Sequence, residues 1–304
     1  MRREFSSMLE KIALANEKII FLTGDLGFMA LENLRSALNE RFINAGVSEQ
    51  NMITMAAGLA SEGYTPICYS IAPFAVFRPA EQIRLDVCLH NMNVKIVGNG
   101  GGYGYGIMGA THHAIEDIAL LSSFQKMKCY IPFCNEDVSG VLSHLMSSRG
   151  PAYLRLGFGN IPQNMALPSY QHTRQLMKGD AVTIVGMGPV CLNAIESLSK
   201  IINREGLADL FIVSEIPLPG LQAELIESVE RTGKLIVVEE HVKRGGLGEH
   251  LAALLLENRI FCRLVHLCAM GYPNGLYGSQ GYHQKISGLD ASSISKRIEE
   301  LVNE

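Results

Sequence analysis

Apolar positions alternate along this chain between helical spacing and short unbroken runs. Phe5, Met8, Leu9, Ile12 and Ala13 share one face of a helix predicted over 4–16. A strand is predicted over 18–22, ending in the turn Thr23-Gly24-Asp25-Leu26-Gly27, and another over 41–44. Met52, Met55, Ala56 and Leu59 then recur at helical spacing. A buried strand over 65–71 precedes a helix over 73–91, with Pro73 at its start, where a missing N–H costs little, and Pro79 marking an irregularity. A strand over 94–98 runs into a glycine-rich stretch, 98–106. Helices over 115–124 and 136–146 and strands over 128–132 and 152–156 complete this first run.

The pattern lapses in a Pro- and Gln-rich stretch read as a linker over 159–178. It then resumes with strands over 181–185, 209–213, 235–239 and 262–268 and helices over 192–203, 222–232, 247–257 and 293–302. Strand and helix alternating in this way imply parallel sheets. The predicted fold class is α/β: two consecutive α/β domains with mainly parallel sheets, over 1–158 and 179–304.

Composition narrows the function classes. A chain of 304 residues is long enough for two cores. A formal charge of -4 without basic runs argues against nucleic acid as a partner. The seven cysteines are scattered, mostly in apolar runs and with no C-x-x-C pair, as in a cytoplasmic protein with reduced thiols. Met1-Arg2-Arg3-Glu4 is not followed by the apolar stretch of a signal peptide, and no uncharged apolar run is long enough to span a membrane.

Candidate chemistry centres on Ala45-Gly46-Val47-Ser48-Glu49-Gln50, which puts a carboxylate where a strand gives way to a helix. Open α/β sheets bind ligands there, although a first-turn acid also simply complements a helix dipole. The glycine-rich stretch suits either close backbone approach to a ligand or a flexible connection. It is not a G-x-G-x-x-G opening a helix, and Gly186-Met187-Gly188 lacks the third glycine of a dinucleotide site. His112 and His113 are adjacent, so their side chains point apart and make a poor metal pair.

Four segments in register resemble transketolases and their thiamine diphosphate-dependent relatives. Gly46-Val47-Ser48-Glu49-Gln50 is similar to the signature of the pyrimidine-binding domain, and Pro73-Phe74-Ala75-Val76-Phe77 to the aromatic run that contacts the cofactor pyrimidine. Gly109-Ala110-Thr111-His112 resembles Gly-Pro-Thr-His, and Val238-Glu239-Glu240-His241 with Gly245-Gly246-Leu247-Gly248 resembles a stretch of the C-terminal domain. The resemblance implies thiamine diphosphate as cofactor. It makes Glu49 the acid that hydrogen-bonds the pyrimidine N1′ and activates the ring, in apolar surroundings that keep its proton available. Phe74 and Phe77 become stacking residues, and His112 the group that meets substrate oxygens. Asp25 and Leu26 fall in the segment that opens the pyrimidine domain, where Asp25 either orients the thiazolium side or a substrate hydroxyl, or caps a turn. Glu239, Glu240 and His241 are assigned to a subunit interface.

The departures are as informative. Gly24-Asp25-Leu26 lacks the last glycine of the family's metal-diphosphate motif, and Asn51 rides the helix that carries Glu49. No counterpart of the diphosphate-binding domain is present, so the resemblance implies a split enzyme. A partner N-terminal transketolase subunit would hold the diphosphate and Mg2+, in an α2β2 assembly in which this chain also pairs with a copy of itself. Ile107-Met108 replaces an acidic pair, and Phe158 stands where transketolases carry an arginine for sugar phosphate. Without that clamp, an unphosphorylated or nucleotide-linked sugar is the expected acceptor. The expected activity is transfer of a two-carbon ketol unit between sugar-type substrates. The alternatives are the beta subunit of a 2-oxoacid dehydrogenase first component, a deoxyxylulose-phosphate-synthase-like carboligase, and a non-catalytic scaffold.

Overall fold

The computed structural model describes residues 1–163, 165–201 and 206–304. Helix α1 (Arg2–Ala15) buries Phe5, Leu9 and Ala13 and leads into β1 (Ile19–Thr23). Next come α2 (Glu32–Leu38), β2 (Phe42–Asn44) and α3 (Glu49–Ser61), whose Met52, Ile53, Ala56 and Ala57 form its buried stripe. Strand β3 (Thr65–Ile71) is followed by α4 (Ala72–Val76) and α5 (Ala80–Gln82), the latter continuing as a π-helical segment over Ile83–Leu89. Strand β4 (Lys95–Asn99), α6 (Asp117–Ser122), β5 (Lys128–Tyr130), α7 (Val138–Ser147) and β6 (Ala152–Leu156) end the first run. The second comprises β7 (Thr173–Met177), β8 (Val182–Met187), α8 (Cys191–Lys200), β9 (Ala208–Val213), β10 (Glu215–Ile216) and α9 (Ala223–Thr232). It closes with β11 (Lys234–Glu239), α10 (Leu247–Glu257), β12 (Arg263–Leu267), α11 (Gln280–Ile286) and α12 (Ala291–Asn303).

These strands form two sheets, ordered β10-β5-β6-β4-β3-β1-β2 and β12-β11-β8-β9-β7. Only β10 with β5 and β7 with β9 pair antiparallel, so the two mainly parallel α/β sheets read from the alternation are present. Helices cover both faces, which is why β1, β8 and β9 are continuous buried runs. Among the described residues no helix is long and apolar enough to cross a membrane.

Several expectations need correction. The single helix over 73–91 is broken at Phe77–Pro79, because Pro79 has no N–H with which to continue the ladder. Helical bonding resumes when Ile83 N donates to Pro79 O. The stretch 159–178, expected to be irregular, contains β7, an edge strand that needs only one neighbour and so carries a weak pattern. Strand β10, two residues long, leaves the second half of the chain and joins the first sheet, pairing Glu215 with Tyr130 and Ile216 with Cys129. The predicted helix 192–203 is observed to Lys200, and its positions 202 and 203 lie outside the described residues.

A buried polar network locks the two sheets together. Arg155, on β6, donates from Nη2 to the carbonyls of Ala114 (2.7 Å) and Glu240 (2.9 Å) and pairs with Asp117 at 3.3 Å. Tyr153 donates to the same Asp117 carboxylate at 2.7 Å. Glu240 accepts from the Tyr103 amide at 2.7 Å and from Gln280 at 2.9 Å, and burial pushes its carboxyl pKa up. Glu239 accepts from the amides of Leu247 and Gly248, capping α10, and from His266 at 2.6 Å. His241 Nε2 accepts from the Ala119 amide. Glu239, Glu240 and His241 are thus buried and committed within the chain, not displayed on a subunit interface as expected.

Lys95, fully buried, donates to the carbonyls of Ser148 (2.8 Å) and Gly150 (2.9 Å). Burial pushes its pKa down from 10.5 to about 8. Between those values the unfolded chain binds more protons than the folded one, so stability rises with pH through that window. The gain is at most about 3 kcal/mol. Denaturation at pH 7.5 and 10 should show this rise in the wild type and lose it in Lys95→Met.

Candidate active site

The parallel strands of the first sheet end on one side, and the strand order reverses between β1 and β3, where such sheets leave a crevice. Gly24 follows β1, Ser70 lies near the end of β3, and Glu49 opens α3. A Cβ added to Gly24 would stand 3.4 Å from Ser70 Oγ and 3.6 Å from Glu49 Oε1, so these segments converge on the acid. Glu49 is 3% exposed. Ser70 Oγ donates to its Oε1 at 3.3 Å, and Arg78 Nη1 donates to its Oε2 at 3.0 Å.

Arg78 comes from the break between α4 and α5, and its side chain is 47% exposed. The guanidinium carbon lies 4.0 Å from the Phe74 ring centroid, a cation on an aromatic face. Phe74 also meets His112, ring to ring at 5.1 Å and 66°. His112 Nδ1 is 2.9 Å from Thr111 Oγ1, and the ring lies 5.8 Å from that of Tyr105. Glu49, Phe74 and His112, singled out from separate segments, therefore belong to one cluster. Arg78 was missed, although its i, i+4 spacing from Phe74 was a usable signal. The wholly apolar surroundings expected for Glu49 are interrupted by this ion pair.

Other candidates lie at its margin. Phe77 is 37% exposed and has no aromatic or cationic neighbour among the described residues. Asp25, at φ 59°, accepts from Asn44 Nδ2 at 2.8 Å. With Leu26, Phe28 and Arg35 it lines a cavity of about 320 Å3 that does not include Glu49. His113 is buried: Nε2 lies 2.8 Å from the Gly106 carbonyl and Nδ1 2.8 Å from the Tyr272 hydroxyl, and burial pushes its pKa down. It braces the glycine-rich loop through the Gly106 carbonyl. That loop approaches its own chain: a Cβ at Gly101 would meet Arg155 Nε at 2.2 Å, and one at Gly102 would meet Glu240 Oε1 at 2.3 Å.

A larger cavity, about 490 Å3, lies over the ends of β4 and β6. Its walls include Arg2, Arg3, Asn99, Tyr105, Phe158 and Gln280. Tyr105 thus separates it from His112, and its hydroxyl accepts from Asn99 at 2.8 Å. Neither arginine forms an ion pair among the described residues; Arg2 donates to the Phe28 carbonyl at 3.3 Å. Two arginines therefore line the same cavity as Phe158, the residue that sequence reading had considered alone.

Residues 1–163 match the transketolase pyrimidine-binding domain, and residues 171–294 match the transketolase C-terminal domain. The chain belongs to the transketolase family. It is 29% identical to one subunit of the apulose-4-phosphate transketolase of Phocaeicola vulgatus, covering 99% of this chain and 97% of that one. It is 30% identical to a putative transketolase C-terminal section of Methanocaldococcus jannaschii, over 99% of this chain and 95% of the other. The 1-deoxy-D-xylulose-5-phosphate synthase of Clostridium perfringens is 27% identical, and this chain spans 48% of its length. Among solved structures, a split-gene transketolase described as an inactive beta4 tetramer superposes with a TM-score of 0.83 at 28% identity, covering 99% of this chain and 97% of that one. The family implies thiamine diphosphate as cofactor, and the kinship with a transketolase subunit and a split-gene transketolase implies a partner chain.

Proposed function

We propose that this chain is the C-terminal subunit of a split thiamine diphosphate-dependent transketolase-like enzyme that moves a two-carbon ketol unit between sugar-type substrates. The observation that carries this reading is the buried Glu49 carboxylate, bridged by the Arg78 guanidinium to the Phe74 ring, in a domain matched to pyrimidine binding. The residues fit the cofactor's aminopyrimidine, because a flat, cationic N–H donor, the Arg78 guanidinium, already contacts both. When bound, the cofactor supplies a carbon nucleophile able to carry the ketol unit. Glu49 would share a proton with the pyrimidine nitrogen from a position closed to water. Phe74 would support the ring face, and Phe77 and the Asp25-Leu26 turn would border it. His112 would donate to, or accept from, substrate oxygens.

The partner subunit would hold the diphosphate and Mg2+ in a cytoplasmic α2β2 assembly. The Phocaeicola relative is itself named as a subunit and is of near-equal length, which supports the division. Isothermal titration of this chain alone with thiamine diphosphate and Mg2+ should show weak or no binding, and the complex with its partner should bind. Tight binding by the lone chain would overturn the split.

For the substrate's far end, Phe158 by itself spoke against a phosphate. Arg2 and Arg3 beside it favour a phosphorylated sugar, as does the name of the Phocaeicola relative. In the assembled enzyme, the double variant Arg2→Gln, Arg3→Gln should lower the kcat/KM preference for a phosphorylated over an unphosphorylated acceptor sugar by about tenfold to a hundredfold. An unchanged preference would restore the unphosphorylated or nucleotide-linked acceptor.

A further inference from the structure

We infer that Arg78 is a latch: in the chain as folded here it occupies the place of the aminopyrimidine on Glu49 and Phe74, and it must swing out before the cofactor ring can enter. The inference rests on the proposed role of Glu49 and adds a residue that the resemblance does not supply.

Three observations carry it. Arg78 touches both groups a bound ring would need, Glu49 Oε2 at 3.0 Å and the Phe74 face at 4.0 Å. One planar group cannot share those contacts with another. The latch is anchored on a buried acid yet is itself 47% exposed, so it has solvent to swing into. It also sits at the discontinuity between α4 and α5, where Pro79 has no N–H with which to continue the helix.

The latch keeps a buried carboxylate paired while no cofactor is bound, avoiding an isolated charge. It also sets a toll on binding, since apparent affinity falls with the fraction of sites closed. A half-exposed ion pair together with a cation–π contact is weak enough to be displaced.

The test uses the complex with the diphosphate-binding partner, titrated with thiamine diphosphate and Mg2+. Arg78→Gln should tighten binding by about fivefold to thirtyfold, with Arg78→Lys, which loses the flat stacking fork, in between. A second readout is urea denaturation of the isolated chain in a double-mutant cycle. Arg78→Gln alone should lower the midpoint, and adding Glu49→Gln should recover most of the loss. Unchanged or weaker cofactor binding in Arg78→Gln, or no coupling in the cycle, overturns the latch. If instead the wild-type complex binds no cofactor, or Glu49→Gln leaves turnover intact, it is the proposed function that fails, whatever Arg78 does.

Discussion

Glu49→Gln is expected to lower turnover of the assembled enzyme by about a thousandfold while the subunits still associate. Glutamine keeps the shape of the side chain and an oxygen able to accept from Arg78, but it cannot share a proton with a ring nitrogen. Glu49 is buried beyond the ends of β1 and β3, close to Ser70 and the Gly24 backbone. Initial rates of ketol transfer measure the loss, and size-exclusion chromatography reports assembly. The harsher Glu49→Ala should abolish turnover. If turnover survives both substitutions, the chain reverts to the scaffold reading.

Arg155→Met is expected to destabilise the chain by about 3–5 kcal/mol, the usual consequence of removing one partner of a buried ion pair. Methionine fills much of the volume but leaves the Asp117 carboxylate, among the described residues, with the Tyr153 hydroxyl alone. It also strips a donor from the carbonyls of Ala114 and Glu240, which belong to opposite halves of the fold. Calorimetry should therefore show a lower transition, and one that splits as the two sheets lose their common fastening. Adding Asp117→Asn should recover part of the loss, since the stranded charge is then gone. Ala114 lies two residues beyond His112, so a raised KM in the assembled enzyme should accompany the lower stability. An unchanged melting profile would show that the sheets are held by apolar packing alone.

Much of the architecture was legible in the chain. Unbroken apolar runs such as 182–187 and helical stripes such as Met52, Ile53 and Ala56 announce elements buried on known faces, because burial depends on local spacing. The family followed from four short segments whose order and spacing survive in the primary structure. Weakly patterned elements escaped. Strand β7 has one neighbour, β10 has two residues, and α11 has a single buried residue, His283, so none leaves an apolar signature.

The candidate site divides along the same line. By itself, the sequence determined two α/β units, a carboxylate at a strand-to-helix junction and a histidine after a glycine-rich loop, since each depends on residues close in the chain. Only the tertiary structure decided that Glu49 meets Arg78, that Asp25 turns to Asn44, and that Arg2 and Arg3 share a cavity with Phe158. It also decided that Glu240 and Arg155 fasten one half to the other. A charged side chain's partner is set by which loops the folded sheets bring together, and distances across a sheet's mouth are not written in sequence separation.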